Sequence, residues 1–190
     1  MAFEFKKTDI ADVFIIEPKI FGDERWFFME TYNKKDFFET WINCEFIQDN
    51  HSKSKKWVFR WFHFQINNPQ AKLVRVIKWA VLDFAVDLRK DSSTYGKYEM
   101  IELTAENKRQ FLIPRWFAHW FLTLEDDTEF VYKCDNFYDP NSEWWIKFND
   151  LDLNINRDEI KSKYWISDLI LSEKDKNSQN LKDFYETNPF

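Results

Sequence analysis

The chain of 190 residues carries 27 basic and 33 acidic side chains, interspersed along its length, for a formal net charge of −6. That balance offers no broad basic surface for nucleic acid. No apolar run is long enough to span a membrane, and the N-terminal residues lack a secretory pattern, so we expect a cytoplasmic protein with no membrane partner. The length suits one domain, residues 1–190. Cys44 and Cys134 are too few for a disulfide framework and are interpreted as buried thiols.

Short runs rich in Val, Ile, Phe and Tyr, separated by polar stretches, predict an antiparallel all-β protein. In chain order the predicted strands cover residues 13–16, 45–48, 57–65, 72–78, 80–88, 98–103, 110–113, 121–124 and 129–136. Short helices are predicted at 34–40 and 158–170, followed by an irregular polar arm from residue 174. This layout is typical of a jelly-roll barrel or sandwich.

Three of the predicted strands carry one polar side chain on an otherwise apolar face. Side chains two residues apart share a face of a strand. Lys72 shares its face with Val74, Asp83 shares its face with Val81, and Tyr132 shares its face with Phe130. The three strands could therefore direct Lys72, Asp83 and Tyr132 into one cavity, with Asp83 as a polar group behind the reacting residues.

Arg60 and His63 lie an odd number of residues apart in the strand predicted at 57–65. Regular pleating would place them on opposite faces of the sheet. Both can reach one pocket only if a bulge or kink lies between them.

Five short segments, in order along nearly the whole chain, form a further pattern. They are Phe21-Gly22-Asp23-Glu24-Arg25, Gln48-Asp49-Asn50-His51-Ser52, Arg60 with His63-Phe64-Gln65, Ile113-Pro114-Arg115 with Phe117-Ala118-His119, and Leu171-Ser172-Glu173-Lys174-Asp175. The pattern resembles the dTDP-4-dehydrorhamnose 3,5-epimerases. The resemblance implies a cupin-like jelly roll and conversion of dTDP-4-dehydro-6-deoxy-D-glucose to dTDP-4-dehydro-L-rhamnose. It also implies a homodimer in which the Arg25 segment serves the neighbouring subunit. At the bend between Arg60 and His63 the resemblance implies glycine, where the chain has Trp61.

Epimerisation beside a ketone requires a base, a group that stabilises the enolate oxygen, and an acid on the opposite face of the sugar. Histidine is the natural base near neutral pH. We expect His63 to remove the proton, Lys72 to stabilise the enolate and Tyr132 to return a proton, roles that the resemblance also assigns. The resemblance further implies that Asp175 pairs with His63. No cofactor is expected, because the substrate ketone is itself the electron sink.

The resemblance also implies a set of substrate-binding residues. Arg25, Arg60 and Lys174 would suit the diphosphate and sugar, Tyr138 would stack on thymine, and His119 would lie near the sugar. The full set expected to bind substrate is Phe21, Arg25, Glu30, Gln48, Asp49, Asn50, Arg60, Lys72, His119, Tyr138, Glu143 and Lys174.

Three other interpretations remain open on sequence grounds. A metal-binding cupin is disfavoured because the chain lacks the His-x-His pair of such sites. His63 is followed by Phe64-Gln65, and His119 is followed by Trp120-Phe121. A related dTDP-sugar 3-epimerase or ketoisomerase differs in the centres that react. The third is an inactive or impaired dTDP-sugar binder, because tryptophan replaces the family's glycine. Those positions are Trp26, Trp57, Trp61, Trp79, Trp116, Trp120 and one of Trp144 or Trp145.

Overall fold

The structure, a computed structural model, describes residues 1–147, 149–166, 169–170 and 179–189, apart from the side chains of residues 60–62. The strands are β1 (Phe3–Lys7), β2 (Phe14–Pro18), β3 (Phe21–Asp23), β4 (Trp26–Phe28), β5 (Gln48–Ser54), β6 (Phe59–Gln65), β7 (Lys72–Lys78), β8 (Ala80–Asp87), β9 (Tyr98–Thr104), β10 (Gln110–Ile113), β11 (Phe117–Thr123), β12 (Thr128–Cys134) and β13 (Glu143–Trp145). The helices are α1 (Lys34–Glu39), α2 (Arg157–Tyr164) and α3 (Leu181–Thr187), with a 3₁₀ turn at Leu151–Leu153.

Two antiparallel sheets face each other. The first has the strand order β1-β2-β10-β7-β12-β5, and the second has the order β13-β6-β11-β8-β9. Buried side chains from both sheets meet between them, including Val74 and Phe130 from the first and Val81 and Phe121 from the second. The predicted all-β sandwich is confirmed.

The outer faces of both sheets are also covered. Phe37 of α1 packs on Ile16, Leu73 and Leu112 of the first sheet. On the second sheet, the C-terminal segment covers Phe84 and Trp120, whose rings stack with centroids 3.5 Å apart. Both outer layers are apolar, so the sandwich is held from three buried clusters rather than one. The two strands β3 and β4 pair with each other as a separate hairpin.

β6 contains the bulge that Arg60 and His63 would need in order to reach one pocket. His63 lies opposite His119 of β11, and Arg60 lies opposite Phe121. Between these two pairs β6 has two residues, whereas β11 has one. An extra residue of this kind restores the alternation that an odd spacing would otherwise break. The backbone therefore brings both Arg60 and His63 opposite residues on one face of β11.

Several element boundaries differ from the sequence prediction. The strand expected at 45–48 instead begins at Gln48 and runs to Ser54, because the edge strand β5 is polar and carries no apolar periodicity. The second predicted helix ends at Tyr164, where Trp165 takes a left-handed conformation. The C-terminal arm expected to be irregular contains α3, which buries Leu181 and Phe184.

Within the described residues, no helix is both long and apolar enough to cross a membrane. The longest, α2, has eight residues.

Candidate functional site

A lysine and a histidine from opposite sheets meet in the interior. Lys72 is the first residue of β7, and its Nζ lies 3.0 Å from Nε2 of His63 in β6. Only 4% of Lys72 is exposed. Burial lowers the pKa of Lys72, and the nearby Cys134, Asp83 and Glu143 oppose that shift. When Lys72 is protonated, its Nζ can only donate, and Nε2 of His63 accepts in the tautomer that carries no proton on Nε2.

A second histidine lies beside this pair. His119 Nε2 is 2.9 Å from Oδ1 of Asp83, and both side chains are buried. Burial, with Lys72 nearby, holds the pKa of His119 well below its usual value, and burial raises the pKa of Asp83 well above its usual value. His119 is therefore neutral near physiological pH, and its contact with Asp83 is a hydrogen bond rather than an ion pair between two charged groups.

Strand pairing explains why these groups converge. The bulge in β6 sets His63 opposite His119, and their ring centroids are 6.3 Å apart. On the other side of β11, Asp83 of β8 lies opposite Phe121. Phe121 stacks on Phe130 at 4.2 Å between centroids, which gives the polar cluster an apolar floor. Such a water-poor setting strengthens electrostatic contacts to a bound anion.

The position of Lys72 is fixed by an ion pair that sequence reasoning did not assign. Asp135 accepts a hydrogen bond from the backbone N of Ala71 at 2.6 Å and another from Nε of Arg115 at 2.8 Å. Ala71 immediately precedes Lys72, so these bonds hold the start of β7. The sequence indicated Arg115, through the Ile113-Pro114-Arg115 segment. It did not indicate the acidic partner of Arg115, because Asp135 lies 20 residues away in the chain.

The polar side chains of β5 divide between the two faces of the first sheet. Asn50 lies opposite Tyr132, and its Nδ2 is 3.7 Å from Sγ of Cys134. Gln48 donates to Oδ1 of Asn50 at 3.0 Å. Asp49 points to the other face, where it pairs with Lys133 at 2.7 Å. The structure therefore groups Gln48 and Asn50 with Tyr132 but does not bring Asp49 to them.

Tyr132 itself lies in the middle of β12, opposite Val74 of β7. It is half-buried and packs against the inner cluster, with its ring centroid 5.9 Å from that of Phe130. Lys72 lies opposite Cys134, two residues further along the same strand. Burial raises the pKa of Cys134 to about 11, so this thiol is neutral beside the lysine. The predicted common face of Lys72 and Tyr132 is thus present.

Gln65, Tyr138 and Glu143 lie together at the open end of β6. Glu143 pairs with Gln65 across β13 and β6. Gln65 is buried, donates to the carbonyl of Asn68 at 3.1 Å and accepts from the backbone N of Asp139. The pKa of the exposed Tyr138 is raised, first by burial and then by the negative charge of Glu143 and a hydrogen bond to it. Sequence reasoning gave Gln65 no role, although it belongs to the His63-Phe64-Gln65 segment.

The hairpin that carries Phe21 and Arg25 stands apart from these groups. All residues of β3 and β4 are exposed. Arg25 is held by Asp23 through two side-chain bonds, Nε to Oδ1 at 3.0 Å and Nη2 to Oδ2 at 2.7 Å. Glu30 follows the hairpin and accepts from Nδ2 of Asn33 at 2.9 Å. Within one chain, Phe21 and Arg25 are therefore presented outward.

Three predicted site residues cannot be placed by their side chains. Lys174 and Asp175 lie outside the described residues, and only the backbone of Arg60 is described. In the described part of the chain, no three His, Cys, Asp or Glu side chains are grouped as a metal ion would require.

The arrangement can perform proton transfer beside a polarised oxygen. It supplies an imidazole nitrogen, a buried lysine amine 3.0 Å from it, a second buried imidazole and a tyrosine hydroxyl on the same inner face. These are the groups that enolate chemistry requires.

Comparisons with known proteins agree with this chemistry. The sequence model of the dTDP-4-dehydrorhamnose 3,5-epimerase family matches residues 7–183. A dTDP-4-dehydrorhamnose 3,5-epimerase of Shigella flexneri is 49% identical over 179 residues, which cover 93% of this chain and 95% of that protein.

Two solved structures are similar along nearly their whole length. A dTDP-4-dehydrorhamnose 3,5-epimerase from Elizabethkingia anophelis is 46% identical with a TM-score of 0.86, covering 96% of this chain and 98% of that one. A dTDP-6-deoxy-D-glucose-3,5-epimerase from Legionella pneumophila, solved in complex with dTDP-4-keto-L-rhamnose, is 41% identical with a TM-score of 0.87, covering 95% and 93%. The family inferred from the five sequence segments is confirmed.

Proposed function

The chain belongs to the dTDP-4-dehydrorhamnose 3,5-epimerase family and is an isomerase of that type, and we propose that His63, Lys72 and Tyr132 carry out its reaction. The substrate would be dTDP-4-dehydro-6-deoxy-D-glucose and the product dTDP-4-dehydro-L-rhamnose. The observation that carries this assignment is the contact of 3.0 Å between Lys72 Nζ and His63 Nε2 in a buried setting.

The first step is removal of a proton from a carbon next to the 4-keto group. Nε2 of His63 is the base, in the tautomer in which it accepts from a protonated Lys72. When substrate binds, the ketone oxygen replaces Nε2 as the partner of the Lys72 ammonium. The negative charge that develops on that oxygen is then neutralised by a cation that burial has already stripped of water.

The second step is reprotonation from the opposite face of the sugar. Tyr132 approaches from β12 in the first sheet, whereas His63 approaches from β6 in the second. A sugar ring between them would have one group on each face, which is the geometry that inversion of a carbon centre requires. Repeating the cycle at C3 and C5 gives the 3,5-epimerisation, and the ketone supplies the electron sink at both carbons without a cofactor.

Recognition of the dTDP portion is assigned to the edges around this centre. Gln48 and Asn50 lie on the Tyr132 side, and the Tyr138–Glu143 pair lies at the open end of β6. His119, neutral and fixed by Asp83, is a hydrogen-bonding partner for the sugar that adds no charge. Arg60 and Lys174 are proposed for the diphosphate and Asp175 for orienting His63, on the resemblance alone.

The hairpin supports a homodimer. It exposes Phe21, Trp26, Phe27 and Phe28, each between 47% and 58% accessible. A contiguous apolar surface of this kind is typical of an interaction site, and it brings Arg25 with it. We propose that it packs against a second copy and delivers Arg25 to that copy's site. Sedimentation at twice the mass of one chain is expected, and a monomer at micromolar concentration would contradict the proposal.

The test of the catalytic roles uses His63→Asn and Tyr132→Phe. His63→Asn removes the base and should abolish proton exchange from both carbons, and Tyr132→Phe should leave exchange measurable while slowing formation of the inverted product. His51→Asn is the matched control, because His51 is an exposed histidine bonded to Glu129 on the outer face of the sheet. Full activity in His63→Asn, or equal loss in His51→Asn, would overturn the assignment.

A further inference from the structure

Five tryptophans have a left-handed backbone. Their φ angles are 65° at Trp41, 63° at Trp57, 66° at Trp79, 65° at Trp116 and 55° at Trp165. Among the described residues, the other non-glycine residues with positive φ are Asp12, Lys108, Asp127 and Asn154. Asp and Asn tolerate this region, whereas a bulky side chain there crowds its own backbone. An aromatic residue is poorly suited to this conformation, yet tryptophan accounts for five of the nine described non-glycine residues with positive φ.

Two of these positions end helices. Trp41 follows α1, and its backbone N donates to the carbonyl of Phe38 at 3.1 Å. Trp165 ends α2, and its backbone N donates to the carbonyl of Lys161. A left-handed residue just after a helix is most often glycine, because it satisfies the last carbonyls without a Cβ. The two side chains are 88% and 87% exposed, so burial does not compensate for the strain.

The other three positions lie in tight connections that hold the same conformation. The carbonyl of Trp79, between β7 and β8, accepts from the N of Ala105 at 2.9 Å, and the carbonyl of Trp116, between β10 and β11, accepts from the N of Leu88 at 3.1 Å. Trp57 donates from its N to the carbonyl of Thr123 at 3.0 Å. Rotating φ to negative values would break these bonds, so the strain cannot relax locally.

Composition points in the same direction. Average glycine usage of about 7% corresponds to about 13 glycines in a chain of this length. This chain has 2 glycines and 10 tryptophans. The family resemblance also implies glycine at Trp57, Trp79 and Trp116, three of the positions with positive φ.

We propose that positions 41, 57, 79, 116 and 165 are glycine in the native protein. The codon that gives tryptophan at these positions of the sequence would be translated as glycine in the source organism. The codon UGA encodes tryptophan in some genetic codes and glycine in another. A single difference in genetic code would therefore replace tryptophan by glycine at every UGA codon. Many independent mutations in one direction would be needed otherwise. The working enzyme therefore carries glycine at these five positions.

The exchange matters for catalysis at Trp116. A cavity of about 10 Å³ is lined by His63, Lys72 and Trp116, among other residues. Glycine at position 116 would enlarge the space beside the base and the lysine. This consequence rests on the proposed function, whereas the backbone argument does not.

The backbone part is tested by melting temperature, which requires no substrate. Trp165→Gly and Trp41→Gly should each raise the melting temperature by roughly 2–4 °C. Trp165→Ala and Trp41→Ala are the matched controls, because alanine removes the indole but keeps the Cβ that makes positive φ costly. Glycine variants no more stable than the alanine variants would overturn the proposal.

The active-site part compares Trp116→Gly with Trp79→Gly. Both should be more stable than the parent, but only Trp116→Gly should raise kcat/KM, by on the order of tenfold or more. Equal kcat/KM in both variants would overturn the role of position 116. Failure of the proposed function would remove activity from every variant and leave the melting-temperature pattern intact, so the two failures are distinguishable.

The decoding part is tested by peptide mass spectrometry of the protein isolated from its own cells. Peptides that span positions 41, 79 and 165 should have the mass of glycine at each position. Tryptophan at these positions in the native protein would refute the decoding rule.

Discussion

Replacing Lys72 by methionine should lower activity and raise stability together. Methionine is similar in length and apolar, so it fills the same space without a charge. Lys72 is 4% exposed, and its Nζ lies 3.0 Å from Nε2 of His63. Loss of a preorganised group at a developing oxyanion costs about 10²–10³ in kcat, or about 2.7–4 kcal/mol. We expect a loss of that size, with a smaller change in KM.

The stability gain follows from burial. Burial disfavours the charged form of Lys72, and an apolar side chain of similar length avoids that desolvation cost. The lost hydrogen bond to His63 offsets about 0.5–1.5 kcal/mol of the gain. The free energy of unfolding of Lys72→Met should exceed that of the parent near neutral pH, because desolvation is the largest cause of the pKa shift.

The gain should depend on pH. Burial lowers the pKa of folded Lys72 below its ordinary value of 10.5. Between the two pKa values the unfolded chain binds more protons, so the stability of the parent rises with pH in that window. Methionine has no proton to release, so the advantage of the variant should shrink as the pH approaches 10.5.

Urea denaturation at about pH 7 and about pH 10, with steady-state kinetics, measures both effects. Lys78→Met is the matched control, because Lys78 ends the same strand but is partly exposed. Its activity should equal that of the parent, and its stability should change by no more than about 0.5 kcal/mol. Parental kcat in Lys72→Met, or a variant less stable than the parent, would refute the reasoning.

Two further predictions concern buried carboxylates and are measured by urea denaturation across pH. Burial alone would raise the pKa of Asp87, but hydrogen bonds from Arg89, Ser92 and Thr94 outweigh it and lower the pKa below 3.8. Asp87→Asn should therefore lose about 1.5–3 kcal/mol at neutral pH, and the difference should narrow as the pH falls below 3.8; a constant difference would contradict this. Burial raises the pKa of Asp83, so ionisation of the unfolded chain weakens the parent as pH rises above 3.8. Asp83→Asn can still form a hydrogen bond with His119, so its stability relative to the parent should increase as the pH rises. Asp83→Ala should lose about 1–3 kcal/mol of stability. An alanine variant more stable than the asparagine variant would exclude the assigned hydrogen bond.

Much of the sandwich could be predicted because its inner strands alternate apolar and polar residues. β7 and β10 have the predicted bounds, and their side chains are largely buried. β5 was misplaced because a polar edge strand gains its stability from pairing with β12 rather than from burial of its own side chains. The hairpin of β3 and β4 was missed for a related reason, since its three-residue strands are exposed on every side.

The candidate site was predictable in part. Strand periodicity placed Lys72, Asp83 and Tyr132 each on an otherwise apolar face of its strand. The odd spacing of Arg60 and His63 meant that both could reach one pocket only through a bulge or kink, and the pairing of β6 with β11 contains one. Pairings between distant strands were not predictable from one strand at a time. The bond between His119 and Asp83 depends on the register of β11 against β8, which local sequence does not determine.

The most direct test of the central claim is solvent deuterium incorporation into dTDP-4-dehydro-6-deoxy-D-glucose, followed by NMR. It is made with the chain and with the variant that has glycine at positions 41, 57, 79, 116 and 165. Label entering both C3 and C5, without added cofactor, is the predicted result. Label at neither carbon, or at C3 alone, from folded protein that binds dTDP would contradict the 3,5-epimerase mechanism.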